Sequence, residues 1–293
     1  MKEITQELID DYISQTTGIF TNADIYRFFD VRLASGKAKV RSYVSRASQR
    51  NLIVAIGKKD GTWRKIDKED REIDWQNAPK KLLDIKFPFG VEQYVNIYRR
   101  SVAVLAGAPN AGKTAYIYNF ILMNMKNHLI TLFNSETSDD MMRERFENFG
   151  MEIPNPAPFK AVEKYNHFAD SILPDAVNVI DYIDWDTSDY GSVKNEIDAI
   201  YKRLKDGMAL VAIQKKPPQT NFKGQKITTD YGYGGITTLF KPILYMALDN
   251  HSLKIIKGKS WRDRAVNPNG MAWNFNLING CKFVNIQEAE EDD

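Results

Sequence analysis

The residues best able to do chemistry in this chain are contiguous. Gly107, Ala108, Pro109, Asn110, Ala111, Gly112, Lys113 and Thr114, with Ala115 behind them, carry the spacing G-x-x-x-x-G-K-[ST]. Chemistry of that spacing is directed at phosphate. Glycines let the backbone curl until its N–H groups face phosphate oxygens, and the positive end of a following helix adds to the field. Lys113 is placed to reach terminal phosphates, and the Thr114 hydroxyl to ligate a divalent cation. Three more polar residues close predicted strands: Glu136 after 129–133, Asp181 after 176–180 and Gln214 after 209–213. A carboxylate such as Glu136 can polarise an attacking water. One such as Asp181 can hold Mg²⁺ through its water shell, and an amide such as Gln214 can sense the last phosphate. Read singly, each has a plainer role, as a surface acid, a cap or a loop glutamine. Their order behind an intact phosphate loop gives them the functional one.

The elements that must position these residues are legible as patterns. The apolar run Ser101-Val-Ala-Val-Leu-Ala106 predicts a strand, and 115–127 a helix, which is the strand–loop–helix setting the spacing requires. Beyond it strands alternate with helical stretches such as that of Ile197, Ile200, Tyr201 and Leu204, so a mainly parallel α/β sheet covered by helices is expected. The first 67 residues differ. Helical spacing predicts helices over 4–15, from Thr21-Asn-Ala-Asp24 onward with Ile25, Phe28 and Phe29 inward, and over 37–49 with Val40, Tyr43, Val44 and Ala47 inward. Runs 52–56 and 62–66 then flank Lys58-Lys59-Asp60-Gly61, a hairpin signal. Three helices and a basic-tipped hairpin resemble a winged helix-turn-helix over 1–67, which implies a third helix set into a DNA major groove. Lys39, Arg41, Arg46, Lys58 and Lys59 are its candidate phosphate contacts; a protein-docking module is the competing reading. Residues 68–90 mix charge with Pro79, Pro88 and Gly90 and read as a linker to a domain over 91–286.

Composition bounds the rest. The 293 residues suffice for two unequal domains, and a hydrophobic fraction of 43% fills their cores. No apolar run reaches the roughly 18 residues needed to cross a bilayer, and the N-terminus lacks a secretory pattern, so no membrane partner and a cytoplasmic location are expected. Cys281 is the single cysteine, which excludes an internal disulfide and any cysteine-rich zinc site. The net charge of +2 is uninformative, being unevenly spread. Residues 287–293 form an acidic tail expected to be disordered and open to a protein partner.

Several segments, in order, resemble the RecA-type motor domain of DnaB-like hexameric replicative helicases of bacteria and phages. They are the phosphate loop 107–115, Asn134-Ser-Glu-Thr137 with Arg143, Asn178-Val-Ile-Asp-Tyr-Ile183, the helix Glu196 to Lys205, and Val211-Ala-Ile-Gln214. Leu253-Lys-Ile-Ile-Lys-Gly-Lys259 and Asn267-Pro-Asn-Gly270 complete the match, which covers about 91–286. The resemblance implies a RecA-like P-loop core that binds ATP with Mg²⁺, with Glu136 as catalytic base, Asp181 as Mg²⁺ carboxylate and Gln214 as sensor. It implies a homo-oligomeric ring or filament in which Lys257 and Lys259, with Arg262 the nearest guanidinium, act on a neighbouring subunit's nucleotide. It also places single-stranded DNA against the loop after Gln214, where Lys215, Lys216, Lys223 and Lys226 alternate with Phe222, Tyr231 and Tyr233. Two departures stand out: the family's helical N-terminal collar is replaced by the winged-helix-like module, and its Lys-x-Arg pair reads Lys257-Gly-Lys259. A DNA-dependent ATPase, motor or helicase in phage or mobile-element replication is the expectation. A recombination or annealing ATPase without unwinding activity and an ATP-switched DNA loader are its alternatives.

Overall fold

The computed structural model describes residues 4–16, 18–57, 61–66, 72–184, 191–217, 219–220 and 226–289, with 219–220 and 226–227 described by backbone alone. Lys58, Lys59 and Lys223 lie outside the described residues, as does the side chain of Lys226. The chain divides into two compact units, Met1–Pro79 and Lys80–Asp293.

In the first unit, helices α1 (Gln6–Gln15), α2 (Asn22–Phe28) and α3 (Ala34–Gln49) pack with short strands β1 (Ile19–Thr21), β2 (Ile53–Ala55) and β3 (Thr62–Lys65). Thr21 opens α2 through a capping box: the Asp24 N–H donates to its hydroxyl at 3.3 Å, and the Thr21 N–H donates to the Asp24 carboxylate at 2.8 Å. That satisfies two amides which the helix leaves unpaired. The inward stripe of Ile9, Ile13, Ile25, Val40, Val44, Ala47 and Ile53 is buried. Arg41 and Arg46 lie on the opposite, exposed face of α3 with Lys39. The hairpin is present as β2 antiparallel to β3, but β1 pairs with the free side of β3 and makes the sheet three-stranded. Sequence alone does not mark β1, a strand of three residues. Phe28, expected inside, is 67% exposed because α2 ends on it.

The second unit is built on a nine-stranded sheet of order β14-β13-β12-β11-β4-β8-β7-β5-β6. The parallel part comprises β4 (Ser101–Gly107), β5 (Ile130–Asn134), β6 (Lys160–Glu163), β7 (Val177–Ile183), β8 (Met208–Gln214) and β11 (Leu244–Asp249). Between β8 and β11 lie the two-residue strands β9 (Gln219–Thr220) and β10 (Lys226–Ile227), which pair with each other. An antiparallel extension, β12 (Ser252–Gly258), β13 (Ala272–Ile278) and β14 (Lys282–Glu288), follows β11.

Every residue of β4 is buried, because side chains on both faces of a covered parallel strand are inside. Ala103 and Leu105 face the cluster that holds Tyr116, Ile117, Phe120 and Ile121 of α4 (Lys113–Asn124). Val102, Val104 and Ala106 face the cluster that holds Val193, Ile197, Ile200 and Leu204, all on or just beyond α6 (Ser192–Arg203). Cys281 is buried against the first cluster. At about 1.5–3 kcal/mol per large apolar side chain, these two layers hold the strand ends in fixed relative positions.

Two sequence boundaries need correction. Residues 80–90 are not linker: Ile85 and Phe87 are buried in the α4-side core, where Phe87 packs against Phe120 with ring centroids 5.1 Å apart. Isolated apolar residues of an aperiodic segment fill that space, which no periodicity reveals. The tail begins later than expected, since Gln287 and Glu288 end β14; residues 290–293 lie outside the described residues. Among the described residues no helix is long and apolar enough to cross a membrane.

Candidate active site

The phosphate loop, Asp181, Gln214 and the segment carrying Glu136 come together at the carboxyl ends of the parallel strands. Ligands of open α/β sheets are bound at that edge. Register fixes the arrangement: Gly107 is level with Gln214 on β8 and with Leu248 on β11, and Asn134 is level with Asp181 on β7. Strand β8 alone separates the loop's strand from that of Asp181.

The loop has the backbone its sequence calls for. Gly112 takes φ +96° at the cap of α4, a conformation that penalises any Cβ. A Cβ on Gly107 would stand 2.3 Å from Cγ of Lys113, so the lysine folds back only because the position is glycine. Ala108, Pro109 and Asn110 are open to solvent in part or fully, while Ala111, Lys113 and Ala115 are buried. Lys113 Nζ lies 3.2 Å from the Ala108 carbonyl and 3.3 Å from Oε1 of Gln214, which joins the loop to the end of β8. It also sits 5.8 Å from the centre of the Tyr182 ring. Burial pulls the Lys113 ammonium below its ordinary pKa, while Glu136 and Asp181 act to keep the proton on.

Asp181 is the most informative side chain here. It lies inside β7, two residues before Ile183, rather than at the strand's end, and is only 1% exposed. Both carboxylate oxygens are buried without a well-formed hydrogen bond among the described residues. Burial, opposed in part by the nearby Thr114 hydroxyl and reinforced by Glu136, pushes its pKa from 3.8 up to about 6. Holding it ionised at neutral pH therefore costs about 3 kcal/mol. The folded chain keeps this proton up to about pH 6 whereas the unfolded chain releases it near 3.8, so its contribution to stability declines as pH climbs between those values. A buried carboxylate with both oxygens idle beside a threonine hydroxyl fits a hard divalent cation, which takes oxygen ligands and keeps several waters. A cation held mainly by phosphates and water needs no larger set of protein ligands, and no cluster of three or more such ligands occurs among the described residues.

Glu136 is exposed next to this pair and is held by its neighbours rather than by its own carboxylate. Asn134 Oδ1 accepts from the N–H groups of Glu136 and Thr137 at 3.3 and 3.1 Å. The Ser135 hydroxyl donates to the Tyr182 carbonyl at 2.9 Å and accepts from the Tyr182 N–H at 3.1 Å. Strand β5 and the residue after Asp181 thereby lock the segment that carries the acid. Asn134, Ser135, Tyr182 and Arg145, whose charge lowers the Asp181 pKa, are supporting residues that sequence reasoning missed. Only Asn134 left a signal, since Asn side chains commonly bond backbone a few residues on.

The basic candidates separate into different fates. Lys215 is not a nucleic-acid contact: it is 3% exposed, and its Nζ pairs with Asp249 at 2.7 Å and Asp230 at 3.3 Å. Lysines 3% exposed with two acidic partners have no charge to spare. Lys216 is half-buried and engaged with other groups. Lys257, Lys259 and Arg262 lie at the other end of the sheet. Lys257 pairs with Tyr245, which is level with Val104, and Lys259 donates its N–H to the carbonyl of Ile243, next to Val102. From Val102 to Gly107 the strand runs about 16 Å, at about 3.3 Å per residue. Lys257, level with Val104, stands about 10 Å short of Gly107 and is turned to the Leu239 carbonyl, so neither lysine is directed at its own phosphate loop. Lys257 is half-buried, donates to the Leu239 carbonyl, and has its pKa lowered by burial and then by Lys259, whereas Lys259 and Arg262 are exposed.

No protein-family model matches the chain, and comparison with curated proteins finds no match.

Proposed function

We propose that this chain is a Mg²⁺-dependent ATPase with a RecA-like core that assembles with further copies of itself and works on nucleic acid, as a motor of the DnaB-like kind. The observation that carries the reading is Asp181, buried with neither oxygen in a well-formed hydrogen bond, beside the Thr114 hydroxyl and Lys113 of an intact phosphate loop. The loop amides and Lys113 would hold the triphosphate, and Asp181 and Thr114 would hold the cation, which when bound neutralises phosphate charge. Glu136 takes the proton of the attacking water, and Gln214, bonded to Lys113, reports the state of the last phosphate to the segment beyond β8. The opposite-end position of Lys257, Lys259 and Arg262 supports a role across a subunit interface. ATP turnover by the purified protein, measured with and without Mg²⁺ and with and without a single-stranded oligonucleotide, tests this reading. Stimulation by the oligonucleotide is expected, and turnover indifferent to both would refute it.

The first unit supports a winged-helix role through helix order α1, α2, α3, its hairpin, and the exposed cations of α3. Replacing Arg41 and Arg46 by Gln is expected to weaken duplex binding and to lower the slope of log K against log salt by about 1.8, at about 0.9 for each lost phosphate contact. ATP turnover without DNA stays as it was. Titrations of a labelled duplex from 50 to 300 mM salt check this; an unchanged slope would make the unit a protein-docking module.

A further inference from the structure

At the end of the sheet remote from the phosphate loop, a cleft of about 460 Å³ opens among Arg99, Arg100, Tyr201, Lys241 and Lys259. No carboxylate is among the described residues that line it. Arg99 is bonded to Asp206 at 2.6 Å on the rim, but among the described residues Arg100, Lys241 and Lys259 form no ion pair. The Arg100 guanidinium lies 5.0 Å and the Lys241 ammonium 4.4 Å from the centre of the same Tyr201 ring. The ring gathers two like charges that repel each other, and it cannot neutralise either. Arg100 Nε is buried without a hydrogen-bond partner. Arg100 also takes φ +56°, held by its N–H bond to the Gly207 carbonyl at 2.8 Å. Non-glycine residues adopt that region uncommonly, and such outliers concentrate at ligand sites.

An idle buried donor, clustered cations and no acid describe a site for an anion. Its flanks say which kind. Tyr98 is 42% and Phe240 64% exposed beside the cations, and open basic grooves edged by aromatic faces suit a strand whose phosphates and bases alternate. A small anion calls instead for converging donors in a closed pocket. We propose that Arg100 and Lys241 of this cleft bind the phosphodiester backbone of a single nucleic-acid strand, with a base against Phe240 or Tyr98, while Lys259 keeps the role across a subunit interface given to it above. The cleft takes the place of Lys215, whose charge is consumed internally. The inference rests on the nucleic-acid part of the function proposed above and not on ATP hydrolysis.

The test is fluorescence anisotropy of a labelled oligothymidylate with the full chain, across 50–300 mM salt. The Arg100→Gln/Lys241→Gln protein should bind at least about tenfold more weakly, with a salt slope lower by about 1.4, at about 0.7 per single-strand phosphate. Phe240→Ala, a change at an exposed position, should weaken binding about 5- to 150-fold with the slope unchanged. ATP turnover without nucleic acid should match the parent in both. Unaltered affinity and slope in the double variant, while the parent binds, overturn the cleft and leave the nucleic-acid reading standing. Displacement of the oligonucleotide by equimolar inorganic phosphate also overturns it, as does loss of strand-free turnover in the double variant, which would assign the cations to a nucleotide on a second copy. A parent protein that binds no oligonucleotide defeats both the cleft and the nucleic-acid reading.

Discussion

Glu136→Gln is expected to leave nucleotide binding intact and to slow hydrolysis at least about a hundredfold, since removal of a general base typically costs 10²–10⁴ in rate. The substitution keeps size and shape, and the segment's geometry depends on Asn134 and Ser135 rather than on the Glu136 carboxylate, so folding is not at stake. Lys113→Ala has a different phenotype. It removes the group that bridges Ala108 and Gln214 and that, in the proposed function, faces the phosphates, so nucleotide binding itself is expected to be lost. Single-turnover kinetics with binding measured separately distinguish the two. Near-normal turnover in Glu136→Gln would take the base role from that residue and pass it to Asp184, one residue past the end of β7.

A Lys257→Ala/Lys259→Ala protein is expected to lose roughly 10³-fold in turnover, the scale of a cation supplied across an interface to transition-state charge. About 10 Å of strand for Lys257 and about 16 Å for Lys259 separate them from their own phosphate loop, and Lys257 is turned to the Leu239 carbonyl, so the loss is expected to arise between subunits. Mixing this protein with Lys113→Ala, each inactive alone, should restore part of the activity, because some interfaces then pair an intact loop with intact lysines. If both variants assemble and mix yet no activity returns, the action across an interface fails. Full activity of the double-lysine variant alone would show that these lysines play no part in turnover.

How much was legible in the sequence depended on the range over which each feature is determined. The phosphate loop is encoded by contiguous residues, and its backbone demands, a glycine at φ +96° and another under the folded lysine, are local. Asp181 and Gln214 were found because they sit near the ends of apolar runs whose burial on both faces leaves little ambiguity about strand or register. The capping box at Thr21 and Asp24 is likewise complete within four residues. Lys215 was misread because its environment is set by Asp230 and Asp249, brought to it by the fold from 15 and 34 residues away. Residues 80–90 were misread as linker for a similar reason, since Ile85 and Phe87 gain their burial from α4 and not from any pattern of their own. Arg100, before the first strand of the sheet, gave no sign at all: its significance comes from Tyr201 and Lys241, which only the folded sheet brings near.

Binding of Mg²⁺ with a non-hydrolysable ATP analogue, followed by calorimetry from pH 5 to 8, tests the nucleotide site most directly. Asp181 must give up its proton to hold the cation, and its pKa is about 6. Affinity should therefore require Mg²⁺, stand at its plateau above about pH 7, and fall about tenfold for each unit below 6, with proton release on binding near pH 6. Asp181→Asn should weaken the Mg²⁺ requirement and remove the proton release that Asp181 contributes near pH 6, and Lys113→Ala should abolish binding. Tight binding that ignores Mg²⁺, pH and both substitutions, or no binding by the unaltered protein, would contradict a Mg-nucleotide site at this edge of the sheet.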